Sequence, residues 1–399
     1  MRYRHLSVAI PILAELENLP KLIESLQHQS LRDFDVYFCV NNPEGWSNSG
    51  DVSQRNMYLD NQEAMSYLRE QAKENKSFRL ILIDRSSLGN GWQGKQHGVG
   101  WARKTLFEAI EREHDDNELI VSLDADTLFS DTYLESVHCT MNEHYNHSAL
   151  CVPYYHPLSG NELNDRAMLR YEIYMRHYLI NLLESNNPYA FTALGSAMVF
   201  PIWAYRRVRG ITPLQGGEDF YLMQKFAKTG KILLSCNETV EPQGRPSSRV
   251  PFGTGPAIAK GIDYMNDTYP FYPHEGFEAV ARTFSMFQDL YEYDQETPMN
   301  DFLRQQLKTD NLWQPLRKNF KTKELFIHAC HERVDGLRIL QYLKIFPLRT
   351  AEEELHLFCK SHRITISEDF DFKNTCISEI NSLRYTLFNL ESSLRKVSL

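Results

Sequence analysis

The feature that most constrains the fold is a short apolar run that ends in two aspartates. Residues 118–129 read ELIVSLDADTLF, with apolar residues at 119–123 and then Asp124 and Asp126. Such a run predicts a strand that is buried on both faces of a parallel sheet. Ligands of open α/β sheets bind at the carboxyl ends of strands, and paired carboxylates suit a hard divalent cation. We therefore predict a metal site at this edge, where the metal holds a diphosphate.

Strand and helix patterns alternate around this run. Apolar strands are predicted at residues 6–13, 34–40 and 78–83, and helices at 19–27, 61–75 and 99–112. Each strand is followed by polar residues, which is the βαβ pattern of a doubly wound, mostly parallel sheet flanked by helices. From about residue 256 helical patterns dominate. We predict an α/β domain at 1–255 and an α-helical domain at 256–399.

Composition excludes several classes of function. A net charge of −9 argues against non-specific binding to nucleic acid or to anionic membranes. Seven scattered cysteines without a CxxC pair indicate reduced thiols in a cytoplasmic protein. No apolar run approaches the roughly 20 residues that span a bilayer, and the sequence opens on a strand pattern without a signal peptide.

Three segments resemble the GT-A glycosyltransferases of the family 2 type. They are SVAIPILAELENLPKLIESLQ at 7–27, the DAD at 124–126, and GGEDFYLMQKFAKTG at 216–230. The resemblance covers residues 1–255. It implies a GT-A fold and an enzyme that moves a sugar from a nucleotide diphosphate sugar to a hydroxyl of a saccharide or glycoconjugate acceptor. It also implies Mn²⁺ or Mg²⁺ as cofactor, and a place in polysaccharide or glycoconjugate synthesis.

The same resemblance implies roles for the acidic residues. Asp126 would bind the metal directly, and Asp124 would contact ribose or a metal-bound water. Asp219 matches the general base of inverting enzymes, which takes the proton of the acceptor hydroxyl, and Glu218 beside it is expected to be catalytic as well. The ordinary alternatives are a solvated strand end for the aspartate pair and a helix N-terminus that favours acidic residues for the second pair.

Further donor-binding residues are expected along the same edge and around it. They are Glu15, Asn41, Asp84, Lys95, Asp124, Ala125, Gly195, Arg245 and Arg249. Asn41 and Asn42 stand where relatives often carry acidic residues, so the nucleoside base is not predicted. Arg245 and Arg249 lie in the flexible segment QGRPSSRVPFGTG, which is either a lid that closes on diphosphate or a domain linker.

Two other functions remain open at this stage. GNGWQGKQ at 89–96 nearly matches a phosphate-binding P-loop, although Gln96 replaces the Ser or Thr that binds Mg²⁺. A non-catalytic sugar-binding module is the other alternative. His97 and His156 are candidates for a third metal ligand, whereas the spacing of His138, His144 and His147 argues against zinc. The C-terminal helices are expected to recognise acceptor, to form a homo-oligomer, or simply to stabilise the chain.

Overall fold

The computed structural model describes residues 3–234, 236–247, 253–263 and 269–397. The chain forms two compact units. One contains Met1–Ser159 and Ala193–Pro256, and the other contains Gly160–Thr192 and Ala257–Ser398. The predicted division had placed all residues before 256 in the first domain. The structure differs in one segment, because the long helix that follows Gly160 packs with the C-terminal helices.

The first unit is built on a seven-stranded sheet and a two-stranded ribbon. The strands are β1 His5–Ile12, β2 Asp35–Asn41, β3 Arg79–Arg85, β4 Glu118–Ser122, β5 Thr127–Leu128, β6 Ala149–Cys151, β7 Met198–Pro201, β8 Ile232–Leu233 and β9 Glu241–Pro242. Their order in the sheet is β3-β2-β1-β4-β7-β6-β8, with β7 antiparallel to both its neighbours. The ribbon pairs β5 with β9. The predicted α/β class with a mostly parallel sheet is confirmed.

Helices cover this sheet and make up most of the second unit. They are α1 Leu19–Gln27, α2 Val52–Glu74, α3 Val99–Glu113, α4 Tyr133–Glu143, α5 Glu162–Glu184, α6 Ile202–Arg207, α7 Glu218–Thr229, α8 Thr254–Asp263, α9 His274–Ser285, α10 Asn300–Leu307, α11 Gln314–Asn319, α12 Lys323–Arg333, α13 Gly336–Leu343, α14 Ala351–Ser361 and α15 Ile377–Val397. The predicted C-terminal helices are therefore present.

Two elements differ from their predicted bounds. Helix α2 begins at Val52, well before the predicted residue 61, because the Asp51 carboxylate caps it by accepting from the N–H of Ser53 at 2.8 Å. The sequence ALGSAMVF predicts a strand of small residues at 193–200, but the structure has a strand only at Met198–Pro201. Residues 193–197 are irregular, which matters for the site because they pass beside β4.

The second unit has a core that contains buried ion pairs between α5 and α15. Arg176 pairs with Glu172 and with Glu391 at 2.9 Å, and Arg384 pairs with Glu172 at 3.1 Å. All four side chains are at most 1% exposed. Because a buried charge without a partner is costly, this network fixes how the two helices pair. The sequence of α5 has an aromatic stripe at helical spacing, which predicts either core packing or stacking on acceptor sugar. Tyr171 and Tyr174 pack on Tyr269 and Phe271, as core packing predicts.

Within the described residues, no helix combines the length and the apolar character that crossing a membrane requires.

Candidate active site

The carboxyl ends of two adjacent strands bring three predicted carboxylates to one edge of the sheet. Strands β1 and β4 pair in parallel, and the chain leaves them towards Glu15 and towards Asp124 and Asp126. Each of the three carboxylates contacts a neutral or a cationic side chain. The Asn18 amide donates to Glu15 at 2.6 Å, which explains why Asn18 precedes α1 without capping it by its side chain. The predicted edge thus contains the predicted acids.

Arg245 holds two of these carboxylates together. Its guanidinium contacts both oxygens of Glu15 and lies 3.2 Å from Oδ2 of Asp126. Burial alone would lower the pKa of Arg245, but the charges of Glu15 and Asp126 outweigh it and raise that pKa. Arg245 therefore balances two acids in the structure as it stands, and it is near enough to exchange them for another anion.

The β5–β9 ribbon explains how Arg245 reaches the edge. Thr127 pairs with Pro242, and the N–H of Gln243 donates to the carbonyl of Asp126 at 3.3 Å. The chain that leads to Arg245 is therefore attached to the backbone of the aspartate motif itself. This pairing fixes the start of the segment at 243–255 beside the two aspartates. A lid that closes on diphosphate would need its first residues to be attached in this way. Arg249 lies outside the described residues.

Arg103 on α3 is the residue that the sequence analysis missed. It is 3% exposed, lies 2.6 Å from Oδ1 of Asp124, and contacts Oε1 of Glu218. The charges of Asp124, Glu218 and Asp219 raise its pKa against the opposing effect of burial. A cation on the buried face of an otherwise amphipathic helix was the available signal, because such a residue needs an acidic partner in the fold.

Gly195 makes room for Arg103. A Cβ at position 195 would lie 1.9 Å from Nη2 of Arg103, whereas the Gly195 carbonyl accepts from the Ser122 hydroxyl at 2.7 Å. The segment thus passes so close to the Arg103 guanidinium that any side chain at position 195 would require Arg103 to move. Ala125 is buried between the two aspartates. Gly195 and Ala125 both lie next to the predicted donor site.

The surroundings of Asp219 raise the pKa of its carboxyl group. It lies in the first turn of α7, after Gly217 in a left-handed conformation with φ of 75°. Loss of solvation and the negative charge of Glu218 together raise the pKa of Asp219 to about 7, against the opposing effect of Arg103. Glu218 itself is 1% exposed and contacts Arg103, and a catalytic role for it stays a prediction.

Asn41 lies at the end of β2, and its side chain forms hydrogen bonds within the protein. Its amide donates to the carbonyl of Ile12 at 2.9 Å, and its Oδ1 accepts from the indole of Trp92 at 3.3 Å. Asn61 donates to the carbonyl of Asn41 at 3.0 Å and accepts from the N–H of Ala14 at 2.9 Å. These hydrogen bonds fix the ends of β1 and β2 relative to each other. The buried Asn41 therefore stabilises the edge of the sheet.

Asp84 and the glycine-rich loop form a second, self-contained polar cluster. The Asp84 carboxylate accepts from the N–H groups of Ser86 at 3.0 Å and Ser87 at 2.9 Å. Burial favours a raised pKa for Asp84, but those hydrogen bonds outweigh it and lower that pKa. Lys95 is exposed. The structure thus uses Asp84 to shape the loop, and a direct contact of Asp84 or Lys95 with the donor stays a prediction.

The P-loop alternative does not fit this loop. The N–H groups of Gly89 and Gly91 donate to the Glu44 carboxylate at 2.6 Å and 2.8 Å. A Cβ at Gly91 would collide with the backbone of Glu44. An acidic side chain of the protein therefore takes the backbone donors that a P-loop offers to phosphate. Helix α3 also begins only at Val99, four residues after Lys95.

The carboxylate oxygens at this edge of the sheet are suitable ligands for a divalent cation. Asp124 and Asp126 present carboxylate oxygens, which Mg²⁺ and Mn²⁺ prefer, and Glu15 adds a third acid nearby. In this structure Arg103 pairs with the charge of Asp124, and Arg245 pairs with the charge of Asp126. His97 lies 3.4 Å from the amide of Gln215, and His156 packs on Tyr154. A role of either histidine as third metal ligand stays a prediction.

Comparisons with known proteins find likeness at the level of structure. No family model and no curated protein matches the chain. The chain is similar to S. aureus TarS 1–349 in complex with UDP-GlcNAc, with 10% identity and a TM-score of 0.43 over 83% of this chain and 91% of that one. The complex of TarS 1–349 with UDP gives 12% identity and a TM-score of 0.42 over 89% and 92%.

A second kind of solved structure is more distant. Mouse xyloside xylosyltransferase 1 in its apo form has 11% identity and a TM-score of 0.30 over 59% of this chain and 85% of that chain. These identities and TM-scores do not assign an activity. The function is therefore argued from the side chains of the site.

Proposed function

We propose that this chain is a GT-A-type glycosyltransferase of the family 2 kind, which moves a sugar from a nucleotide diphosphate sugar to an acceptor hydroxyl. One observation carries the proposal: Glu15, Asp124, Asp126 and Asp219 converge with Arg103 and Arg245 at one edge of the sheet. These residues include the key positions of the three segments that resemble that family.

Two needs of glycosyl transfer match the two halves of this site. The leaving diphosphate gains negative charge, which cations stabilise, and the acceptor hydroxyl must lose a proton. Asp124 and Asp126 would hold Mn²⁺ or Mg²⁺, which supplies the positive charge when bound. Arg245 would exchange Asp126 for phosphate oxygens, for which its planar guanidinium is suited. Asp219, with a pKa of about 7, would accept the acceptor proton.

A direct attack with Asp219 as base would invert the anomeric centre. This stereochemical outcome follows from the proposed role of Asp219 and is tested with it. We further propose a saccharide or glycoconjugate acceptor and a role in polysaccharide assembly, which follow from the family resemblance alone.

A panel of nucleotide sugars tests the proposal. Each is incubated with the chain and Mn²⁺ or Mg²⁺, and both donor hydrolysis and the shift in melting temperature are measured. We expect one donor class to be hydrolysed and to stabilise the chain, and Asp126→Ala to abolish both effects. Asp131→Ala is the matched control, because Asp131 is exposed and lies five residues away. The proposal fails if no donor acts and the two variants behave alike.

A further inference from the structure

A cluster of histidines and carboxylates lies at the opposite edge of the same sheet. His5 begins β1, Glu118 begins β4, and the two residues are Cα partners in the parallel register. His114 directly follows α3 as its C-cap residue, four residues before Glu118, and Asp35 begins β2. The amino ends of three neighbouring strands thus meet here. This edge is distinct from the proposed active site, which lies at the carboxyl ends.

Three side chains of this cluster present ligand atoms to one another. One nitrogen or oxygen atom of each of His5, His114 and Glu118 lies within 4.8 Å of the others. Zinc bound at about 2.0–2.1 Å to tetrahedral ligands needs donor atoms roughly 3.3 Å apart, so small side-chain rotations suffice. Two imidazoles with one carboxylate form a ligand set typical of zinc in proteins.

The partners of His114 leave one nitrogen directed at this cluster. Its Nε2 lies 3.1 Å from the Tyr37 hydroxyl and 3.4 Å from Oδ2 of Asp35, whereas Nδ1 contacts Glu118. Both ring nitrogens of His114 therefore face carboxylates. With its proton on Nε2 towards Asp35, a neutral His114 would offer the lone pair of Nδ1 to an ion that Glu118 also binds. Asp35 is 6% exposed and well placed for this function.

His5 supplies a buried nitrogen that lacks a hydrogen bond. Its Nε2 is shielded from solvent and has no hydrogen-bond partner among the described residues, whereas Oε2 of Glu118 contacts Nδ1 of His114. Oδ2 of Asp35 lies 3.5 Å from Nε2 of His5. The His5 and His114 rings are stacked, with centroids 5.2 Å apart. Unpaired buried polar atoms are rare and call for a partner.

We propose that His5, His114 and Glu118 form a zinc site, with Asp35 as the carboxylate that orients His114. The bound ion joins β1 to β4 and to the turn after α3, and so stabilises the amino edge of the sheet. Because both imidazoles must be neutral to bind, zinc uptake releases any protons that they carry. The alternative is a metal-free network of charged histidines and carboxylates.

Zinc titration of the full chain tests this site. We expect saturable binding of one Zn²⁺ by calorimetry after treatment with chelator, a rise in melting temperature, and Co²⁺ absorption typical of tetrahedral nitrogen and oxygen ligands. His5→Ala and Glu118→Gln should abolish this binding, and Asp35→Asn should weaken it by about 10- to 100-fold. Exposed His28→Ala is the matched control and should bind like the wild type.

A further variant distinguishes the proposed zinc site from the proposed Mn²⁺ site. Asp126→Ala should leave zinc binding at His5 unchanged, whereas it should abolish Mn²⁺-dependent donor binding. Glu118→Gln keeps the size of the side chain, and circular dichroism shows whether it and His5→Ala remain folded. The zinc proposal is overturned if the wild type binds no zinc, or if folded Glu118→Gln binds it as tightly as His28→Ala does.

Discussion

The guanidinium of Arg103 lies against Gly195, so closely that a Cβ at position 195 would stand 1.9 Å from Nη2. This contact joins two parts of the site that are far apart in sequence. Arg103 pairs with Asp124 after β4 and with Glu218 at the start of α7. A single buried cation thus couples the proposed metal ligands to the proposed base, and glycine at 195 is the condition for it.

Gly195→Ala is expected to destabilise the chain by displacing Arg103. Breaking a buried ion pair costs about 3–5 kcal/mol because the remaining charges stay buried without a partner. Chemical denaturation measures this loss of unfolding free energy. Gly45→Ala is the control, since nothing lies within 4 Å of a Cβ there, and its effect should stay within about 0.5 kcal/mol. Equal stability of the two variants contradicts the coupling.

Asp219→Asn tests the proposed base through activity. Loss of a positioned base costs about 10²- to 10⁴-fold in rate. In the wild type the rate should rise with pH through about 7, because only the deprotonated carboxylate accepts a proton. Exposed Asp115→Asn should keep both rate and pH profile. A wild-type profile that is flat between pH 5 and pH 9, on the order of two units either side of that pKa, would argue against the role.

The same pKa predicts how stability depends on pH. The pKa of Asp219 is higher in the folded chain than its usual 3.8, so the folded state favours the proton. The resulting stability is fully present below the unfolded pKa and is lost as pH rises through about 7. Asp219→Asn cannot ionise, so at pH 8, about one unit above, it should be more stable than the wild type. Urea unfolding at acidic and alkaline pH compares the two.

Arg245→Gln should change metal and donor binding in opposite directions. Without the guanidinium, Glu15 and Asp126 lose a partner that competes with the metal, and ion pairs of an arginine that is 33% exposed contribute about 1 kcal/mol. We therefore expect Mn²⁺ alone to bind about two- to fivefold more tightly. The KM for the donor should rise, because phosphate loses a bidentate partner. Exposed Arg207→Gln should change neither value, and calorimetry with steady-state kinetics measures both.

Glu44→Ala separates the loop from the alternative NTPase function. Glu44 accepts from Gly89 and Gly91, so its removal should loosen residues 89–94 and cost about 1–3 kcal/mol in unfolding free energy. If the loop were a P-loop held shut by Glu44, the variant would gain ATP binding that Lys95→Ala removes. We expect no ATP binding in the wild type or in either variant.

Sequence alone identified the sheet edge because its signals are local. The apolar run before Asp124 and the strand before Glu15 specify buried parallel strands, and parallel strands bring their carboxyl ends together. The glycine pair before Glu218 likewise marked the start of α7. These patterns depend on neighbours in the chain, so they can be read without the fold.

Tertiary structure decided which charges neutralise which. Arg103 and Gly195 are 92 positions apart in the printed numbering, and Arg245 meets Glu15 only because β9 pairs with β5. The cluster proposed to bind zinc is also invisible in sequence, since His5 and Glu118 meet through the register of β1 and β4. Ion pairs and metal sites depend on distances of a few ångströms across the fold, and local periodicity contains no information about such distances.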